Sequence, residues 1–312
     1  MAGDRIIVTG GAGFIGSHLV DRLTELGHSV AVVDDLSSGR SEHLNTSARF
    51  YDIDIRSSDL ERVFQEERPR RVIHHAAQIQ VQTSVREPLL DADNNILGSL
   101  NLLENCRKHG VEKIIYASSG GAVYGEPEYL PCAESHPVSP LSPYGVSKYA
   151  VEVYLRLYHQ TYDLDYTVLR YANVYGPRQD PYGEAGVVAI FANAMLEGRT
   201  PVIYGSGQQE RDFLFVDDIV KANVLSLEKG SGRAYNIGSG IGTSVNRIFS
   251  LLKGILSYDG DAEYGSSKPG EVFKIYLDAS LAESELGWRP SFTVEDGLRL
   301  TVDYFRSLSP HP

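Results

Sequence analysis

Cysteine is nearly absent from this sequence: Cys106 and Cys132 are the only two in 312 residues. Neither lies in a CxxC or zinc-type spacing, so a disulfide framework and a structural metal cluster are excluded as the means of holding the chain together. A chain of this length can bury a sufficient core without either. Basic charge is also scarce. Against 41 Asp and Glu stand 29 Lys and Arg, a net charge of −12. That balance argues against general affinity for nucleic acid, which needs concentrated cations. A small anionic ligand asks only for a local basic site. No apolar run reaches the roughly 18–20 residues of a membrane span. With lone thiols and no leader-like stretch before the first strand, the expectation is a cytoplasmic protein.

What is present is a regular alternation. Apolar runs at Arg5–Gly10, Ser29–Asp34, Phe50–Ile55, Val72–Ala77, Lys113–Ser119 and Asp165–Ala172 read as strands. Helical patterns fall between them, at Phe14–Leu26, Asp59–Glu66, Pro88–Lys108 and Pro143–Tyr162. Short β-rich runs separated by helices predict βαβ units, hence an α/β fold of the Rossmann type with a doubly wound parallel sheet. The last third is less regular and predicts a smaller α/β part. Its short strands are expected at Pro201–Tyr204, Phe213–Val216 and Ala234–Ile237, and its helices near Ala185–Glu197, Val245–Leu256 and Val294–Phe305. The expected division is 1–173, joined by about 211–238, as dinucleotide-binding domain. Segments 174–210 and 239–306 form the substrate-binding domain, and 307–312 a frayed tail.

Thr9–Gly16 reads TGGAGFIG, a glycine-rich turn that follows a strand and opens a helix. Glycine is needed where the backbone turns tightly and where a pyrophosphate approaches the main chain. The N–H groups of the helix start then face the phosphates. Gly10, Gly13, Phe14, Ile15 and Gly16 are therefore candidate cofactor residues. Asp34 closes the second strand. A carboxylate there accepts ribose hydroxyls and repels a 2′-phosphate, which favours NAD over NADP; Arg40 nearby keeps NADP as a minor option. Asp54 and Ile55 end the third predicted strand, where an adenine edge could lie.

Tyr144-Gly-Val-Ser-Lys148 places a phenol and an ammonium on one helical face. A cation beside a phenol favours the phenolate, and a tyrosine starting near pKa ~10 needs such help to act as a base. Upstream, YASSGGAVYG (Tyr116–Gly125) ends a strand on Ser118 and Ser119, and Gly120-Gly121 turns the chain away. Strand C-termini of a parallel sheet face the cofactor crevice. Ser119 is taken over Ser118 as the hydroxyl that meets the substrate.

With RYANVYGPRQ (Arg170–Gln179), these motifs resemble the extended short-chain dehydrogenase/reductases, and within them the UDP-galactose (UDP-glucose) 4-epimerases of bacteria and archaea, from about Arg5 to Tyr304. The resemblance implies an NAD-dependent isomerase acting on a UDP-hexose, with a homodimer packed through helices near Asn94–Lys108 and Tyr144–Tyr162. It assigns Ser119, Tyr144 and Lys148 to catalysis. To the cofactor it assigns Ala76, Ala77, Asn94 and Tyr171 besides the residues above, with Tyr144 and Lys148 shared. To the substrate it assigns Ser119, Asn173, Val188, Arg211, Lys268, Glu271 and Ile275. Two positions depart from the family pattern. Lys268 and Glu271 stand where Arg and Asp are usual, a point charge instead of a guanidinium fork. Ile275 stands where a bulky Tyr is frequent, which could leave room for a 2-acetamido group.

Alternatives follow from the same motifs. A 4,6-dehydratase needs an acid/base pair after the catalytic hydroxyl, and a uronate decarboxylase a Glu in that stretch; here stand Gly120 and Gly121. A UDP-glucuronate 4-epimerase and a simple NAD-dependent reductase remain as other readings. A dinucleotide sensor without activity would be expected to lack the Tyr or the Lys. His74 and His75 are neighbours on a predicted strand, so their rings point to opposite faces and chelate poorly. No metal is expected, and no nucleic-acid or membrane partner.

Overall fold

A computed structural model describes residues 3–182, 186–267 and 272–308. Its first half runs β1 (Arg5–Thr9), α1 (Phe14–Glu25), β2 (Ser29–Asp34), β3 (Arg49–Asp52), α2 (Leu60–Glu67), β4 (Arg71–His74), α3 (Val81–Arg86), α4 (Pro88–Ala92), α5 (Gly98–Lys108), β5 (Lys113–Ser119), α6 (Gly120–Val123), α7 (Pro143–Tyr162) and β6 (Asp165–Tyr171). Then come β7 (Asn173–Tyr175), α8 (Val187–Leu196), β8 (Val202–Tyr204), β9 (Glu210–Phe215), α9 (Val216–Ser226), β10 (Arg233–Ile237), β11 (Gly242–Ser244), α10 (Val245–Leu256), β12 (Glu263–Gly265), β13 (Lys274–Ile275) and α11 (Val294–Leu308).

The main sheet has seven parallel strands in the order β10-β6-β5-β4-β1-β2-β3. β1 and β4 are buried on both faces, which is why they read as unbroken apolar runs and not as alternating ones. One apolar layer lies under α1 and α9 and includes Leu19, Leu23, Ile73, Leu169 and Ile219. The other lies under α2, α5 and α7 and includes Phe64, Leu102, Ile114, Leu155 and Val168. The strand order reverses between β1 and β4, and in an open α/β sheet the crevice outside that reversal receives the ligand.

A third cluster joins α8, α10 and α11 to β9. A small fourth cluster of Val123, Tyr124, Cys132, Ile275 and Leu277 ties the end of α6 to β13. Strands β11, β9 and β13 form one sheet, to which β7 adds through β9.

Several boundaries differ from the sequence reading. Strand β3 ends at Asp52, so Asp54 and Ile55 lie beyond it. The helix expected over 88–108 is interrupted by a π-turn at Asp93–Leu97, where Asn95 turns its amide onto the main chain of Gln78. Helix α9 was unread, because Val216–Ser226 begins directly at the end of β9 with no turn residues between. Ser307 stays helical within α11, and 309–312 lie outside the described residues. No described helix is long and apolar enough to cross a membrane.

The turn after β1 tolerates no side chain at two of its glycines. Gly10 has φ +70°, and a Cβ on it would sit 2.6 Å from the Ala76 nitrogen. A Cβ on Gly16 would lie 2.0 Å from the Gly10 carbonyl oxygen, so α1 packs on β1 only because the residue is glycine. Gly16→Ala is expected to lower unfolding stability by about 1–3 kcal/mol, the usual cost of overpacking. Urea denaturation measures this, and an unchanged midpoint would contradict it.

Candidate active site at the sheet's carboxyl edge

Local sequence puts each reacting group in place. Ser142 caps α7, its Oγ accepting from the Gly145 N–H at 3.2 Å, and Pro143 opens the first turn. Tyr144 therefore enters within that turn, and Lys148 follows one turn later on the same face. The cap residue of α6 is Ser119, the last residue of β5. The Ser119 side chain lies near enough to the Tyr144 phenol to favour its ionised form. Lys148 is buried; its Nζ donates to the Ala117 carbonyl at 3.0 Å and lies 5.8 Å from the Tyr144 ring centre and 5.1 Å from that of Tyr116.

The electrostatics differ from the expected phenolate. Loss of water around the ring pushes the Tyr144 phenol up to about 12, and the nearby Ser119 side chain only partly offsets that. Lys148 is itself pushed down to about 8 by burial, although the carboxylates of Asp91 and Glu152 work to keep it charged. In the protein by itself desolvation outweighs the nearby ammonium, so Tyr144 is a phenol.

The crevice beside this set fits a dinucleotide. Helix α1 starts at Gly13 with no side-chain cap and no acid in its first turn, leaving the N–H groups around Phe14, Ile15 and Gly16 without a side-chain acceptor. A Cβ on Gly13 would meet only the Gly10 oxygen, at 3.2 Å, so it would protrude into the open cradle. The Phe14 ring packs edge-on against His18, and Ile15 is half-buried between two apolar clusters. Asp34 is buried at the end of β2, where its two oxygens accept the Ala12 and Leu36 N–H groups at 2.9 Å each. Arg40 is engaged with Asp180 and Glu42.

Other candidates are more scattered. The Ala76 N–H donates to Thr9 Oγ1, and Ala77 follows it in the chain just past the end of β4. The Asp54 carboxylate is clamped by Arg56, whose pairing holds it below its usual range. Ile55 packs on Gly98. The Asn94 side chain bonds the Leu90 carbonyl, while its neighbour Asn95 does the bridging. The Tyr171 backbone pairs with Ser119 across the sheet, but its hydroxyl accepts from Asn223 at 2.8 Å.

On the substrate side, a Cβ on Gly121 would lie 3.8 Å from Asn173 Oδ1 and 4.0 Å from Ser119 Oγ, so both groups border one space. Arg211 and Ile275 are register partners on β9 and β13. Arg211 directs Nη1 at the Glu210 carbonyl, and Ile275 is buried in the small fourth cluster. Val188 lies inside the third apolar cluster. Lys268 and Glu271 lie outside the described residues. Of the two histidines, His74 hydrogen-bonds Thr9 and Ser99, while His75 faces Tyr171 and Asn223; burial drives the latter down to about 4, so both are neutral.

Sequence reasoning missed two buried polar groups behind the site. Asp91 accepts from Ser147 Oγ at 2.6 Å, from Asn95 and from Gln78. Glu152 pairs with Arg170. Glu152 was within reach of the pattern, since it stands four residues after Lys148 on the same face.

This fold and site define a class: α/β dinucleotide enzymes with a Ser, Tyr and Lys at the sheet's edge. The chain belongs to the NAD dependent epimerase/dehydratase family, whose pattern matches residues 6–238. It is 48% identical over 302 residues to a putative UDP-glucose 4-epimerase of Methanocaldococcus jannaschii, covering 97% of this chain and 98% of that one. Two crystal structures are similar over nearly the whole length. One is a UDP-glucose 4-epimerase of Thermotoga maritima with UDP-glucose, with TM-score 0.96, 53% identity, and 97% and 99% of the two chains covered. The other is a Thermus thermophilus UDP-glucose 4-epimerase in complex with NAD, with TM-score 0.94, 43% identity, and 98% and 100% covered.

Nucleotide-free protein is expected to show no Tyr144 phenolate until roughly pH 10 or above. The near-ultraviolet difference titration between wild type and Tyr144→Phe measures this. A phenolate ionising near neutrality would contradict the dominance of burial.

Proposed function

We propose that this chain is an NAD-dependent nucleotide-sugar 4-epimerase that interconverts UDP-glucose and UDP-galactose. The observation that carries the reading is the approach of Ser119 to Tyr144, with the Lys148 ammonium 5.8 Å from the Tyr144 ring centre, at the same carboxyl edge of the parallel sheet where the glycine turn follows β1. Gly10, Gly13, Gly16 and Asp34 would hold NAD, with the Ala76 and Ala77 backbone on the other wall. When bound, NAD supplies a reversible hydride acceptor and a positive charge near the phenol.

The chain's own residues handle protons and grip. Ser119 hydrogen-bonds the sugar O4 hydroxyl and aligns it with Tyr144. Tyr144 takes the O4 proton and later returns it, a role worth roughly 10²–10⁴-fold for a positioned acid/base. Lys148, held charged by Asp91 and Glu152, favours the phenolate whenever Tyr144 gives up its proton. Asn173 and Arg211 hold the diphosphate, where a guanidinium can engage phosphate through two hydrogen bonds. Inversion requires the 4-keto sugar to present its other face, so the site must grip the nucleotide firmly and the sugar loosely. Gly120 and Gly121 supply no further acid or base, which suits epimerisation and not dehydration.

The reading extends to a cytoplasmic homodimer. Its support is the pair of free, buried thiols and a run of exposed apolar side chains on α4, α7 and the turn between α4 and α5: Leu89, Leu97, Val146, Val153 and Leu157. Scattered apolar exposure is ordinary, whereas a contiguous face marks an interface.

Pure protein given UDP-galactose without added NAD is expected to form UDP-glucose with no net NADH, and Tyr144→Phe to lose about 10²-fold or more in kcat. Chromatography of the products tests both; wild-type activity in Tyr144→Phe would remove the scheme. Val153→Glu with Leu157→Glu is expected to shift the sedimentation coefficient from dimer to monomer. A wild type that already sediments as a monomer would remove the dimer.

A further inference from the structure

The structure holds a buried polar network outside the reacting groups. Glu152 and Arg170 are both buried, and the pair is joined by three contacts: Arg170 Nε to the two Glu152 oxygens at 3.1 and 3.2 Å, and Nη2 to Oε2 at 2.6 Å. Burying such a pair is costly and is repaid only by good geometry and further hydrogen bonds. Both are present here. Glu152 Oε1 also accepts from Ser118 Oγ at 2.5 Å, and Arg170 Nη1 donates to the Tyr124 hydroxyl at 2.8 Å. Tyr124 donates in turn to Asn236 Oδ1 at 2.7 Å.

The placement of these partners is informative. Ser118 immediately precedes Ser119. Tyr124 immediately follows α6, the short helix that starts after Ser119. The segment 119–123 therefore hangs between two anchors, and both are tied to one ion pair. Its first two residues after Ser119 are glycines, which supply no side-chain anchor of their own. Glu152 belongs to α7 and stands two turns from Tyr144 on the same face. Arg170 pairs with Ser118 in the sheet register. The pair also borders a cavity of about 330 Å³ whose lining includes Glu134, Arg156 and Arg233.

We infer that Glu152 and Arg170, with Tyr124, are positioning residues that lock the Ser119 segment of the strand end onto the helix carrying Tyr144, and so set the spacing of the two hydroxyls. This rests on the proposed epimerase reading for its kinetic consequence, though not for its geometry. Misplacement of a reacting group by about 1 Å can cost on the order of 10²-fold in rate.

The test compares Glu152→Gln, Glu152→Asp and Tyr124→Phe with wild type in the full-length, NAD-loaded protein. Rates are normalised to folded protein and NAD content. With UDP-galactose, kcat is expected to fall about 10–100-fold in Glu152→Gln and about 3–10-fold in Tyr124→Phe, with KM within about twofold. Glu152→Asp keeps the charge but shortens the reach, so it is expected to remain impaired. Full rescue by Asp would show that charge and not position matters, and would overturn the inference. A second readout needs no substrate. Fluorotyrosine placed at residue 144 is expected to change its fluorine resonance in Tyr124→Phe, which leaves the buried charges intact. An unchanged resonance, or wild-type kcat in folded Tyr124→Phe, overturns the positioning role even where the Glu152 variants fail to fold. An inactive wild type that still shows the resonance shift would remove the epimerase reading and leave the positioning role standing.

Discussion

A half-buried phenol and a buried ammonium side by side at the end of a parallel sheet set the terms for the rest of this protein. Taking Tyr144 and Lys148 out of water pushes one up to about 12 and the other down to about 8. Neither shift suits a base at neutral pH. Charge has to be supplied from the surroundings, and the surroundings are organised to supply it. Asp91 and Glu152 favour the ammonium, and the glycine cradle opens beside the phenol.

The crevice owes its shape to backbone contact more than to side chains. Gly10 and Gly16 let β1, β4 and α1 come closer than any Cβ would permit. Asp34 then braces the turn by accepting the Ala12 N–H.

The sheet was legible in the sequence because its strands, the edge strand β3 apart, are buried on both faces and appear as continuous apolar runs, while the longer helices between them show apolar periodicity. Legibility failed where local signals were missing. Helix α9 follows β9 without a breaker, so the start of Val216–Ser226 is marked only by the acids Asp217 and Asp218 in its first turn. The π-turn at Asp93–Leu97 lies inside what reads as one helix; within it Asn95 bonds the main chain of Gln78, a partner seventeen residues away that the local sequence does not reveal. Asp54 was read as closing β3; the strand stops at Asp52 and Arg56 takes the carboxylate, an ion pair formed by a turn that composition does not reveal. The Lys148 effect on Tyr144 was read from spacing alone, and spacing carries no information on desolvation.

By itself the sequence determined the alternation of strand and helix, the glycine-rich turn, and the Tyr–Lys pair on one helical face. These are local, governed by steric freedom and by periods of two and 3.6 residues. Tertiary structure decided the rest. It placed Ser119 near Tyr144, set Arg170 beside Glu152 across eighteen residues of chain, and withdrew the Tyr–Lys pair far enough from water to reverse the expected shift of the phenol. Such outcomes depend on which surfaces exclude water from one another, and that is known only once distant segments have met.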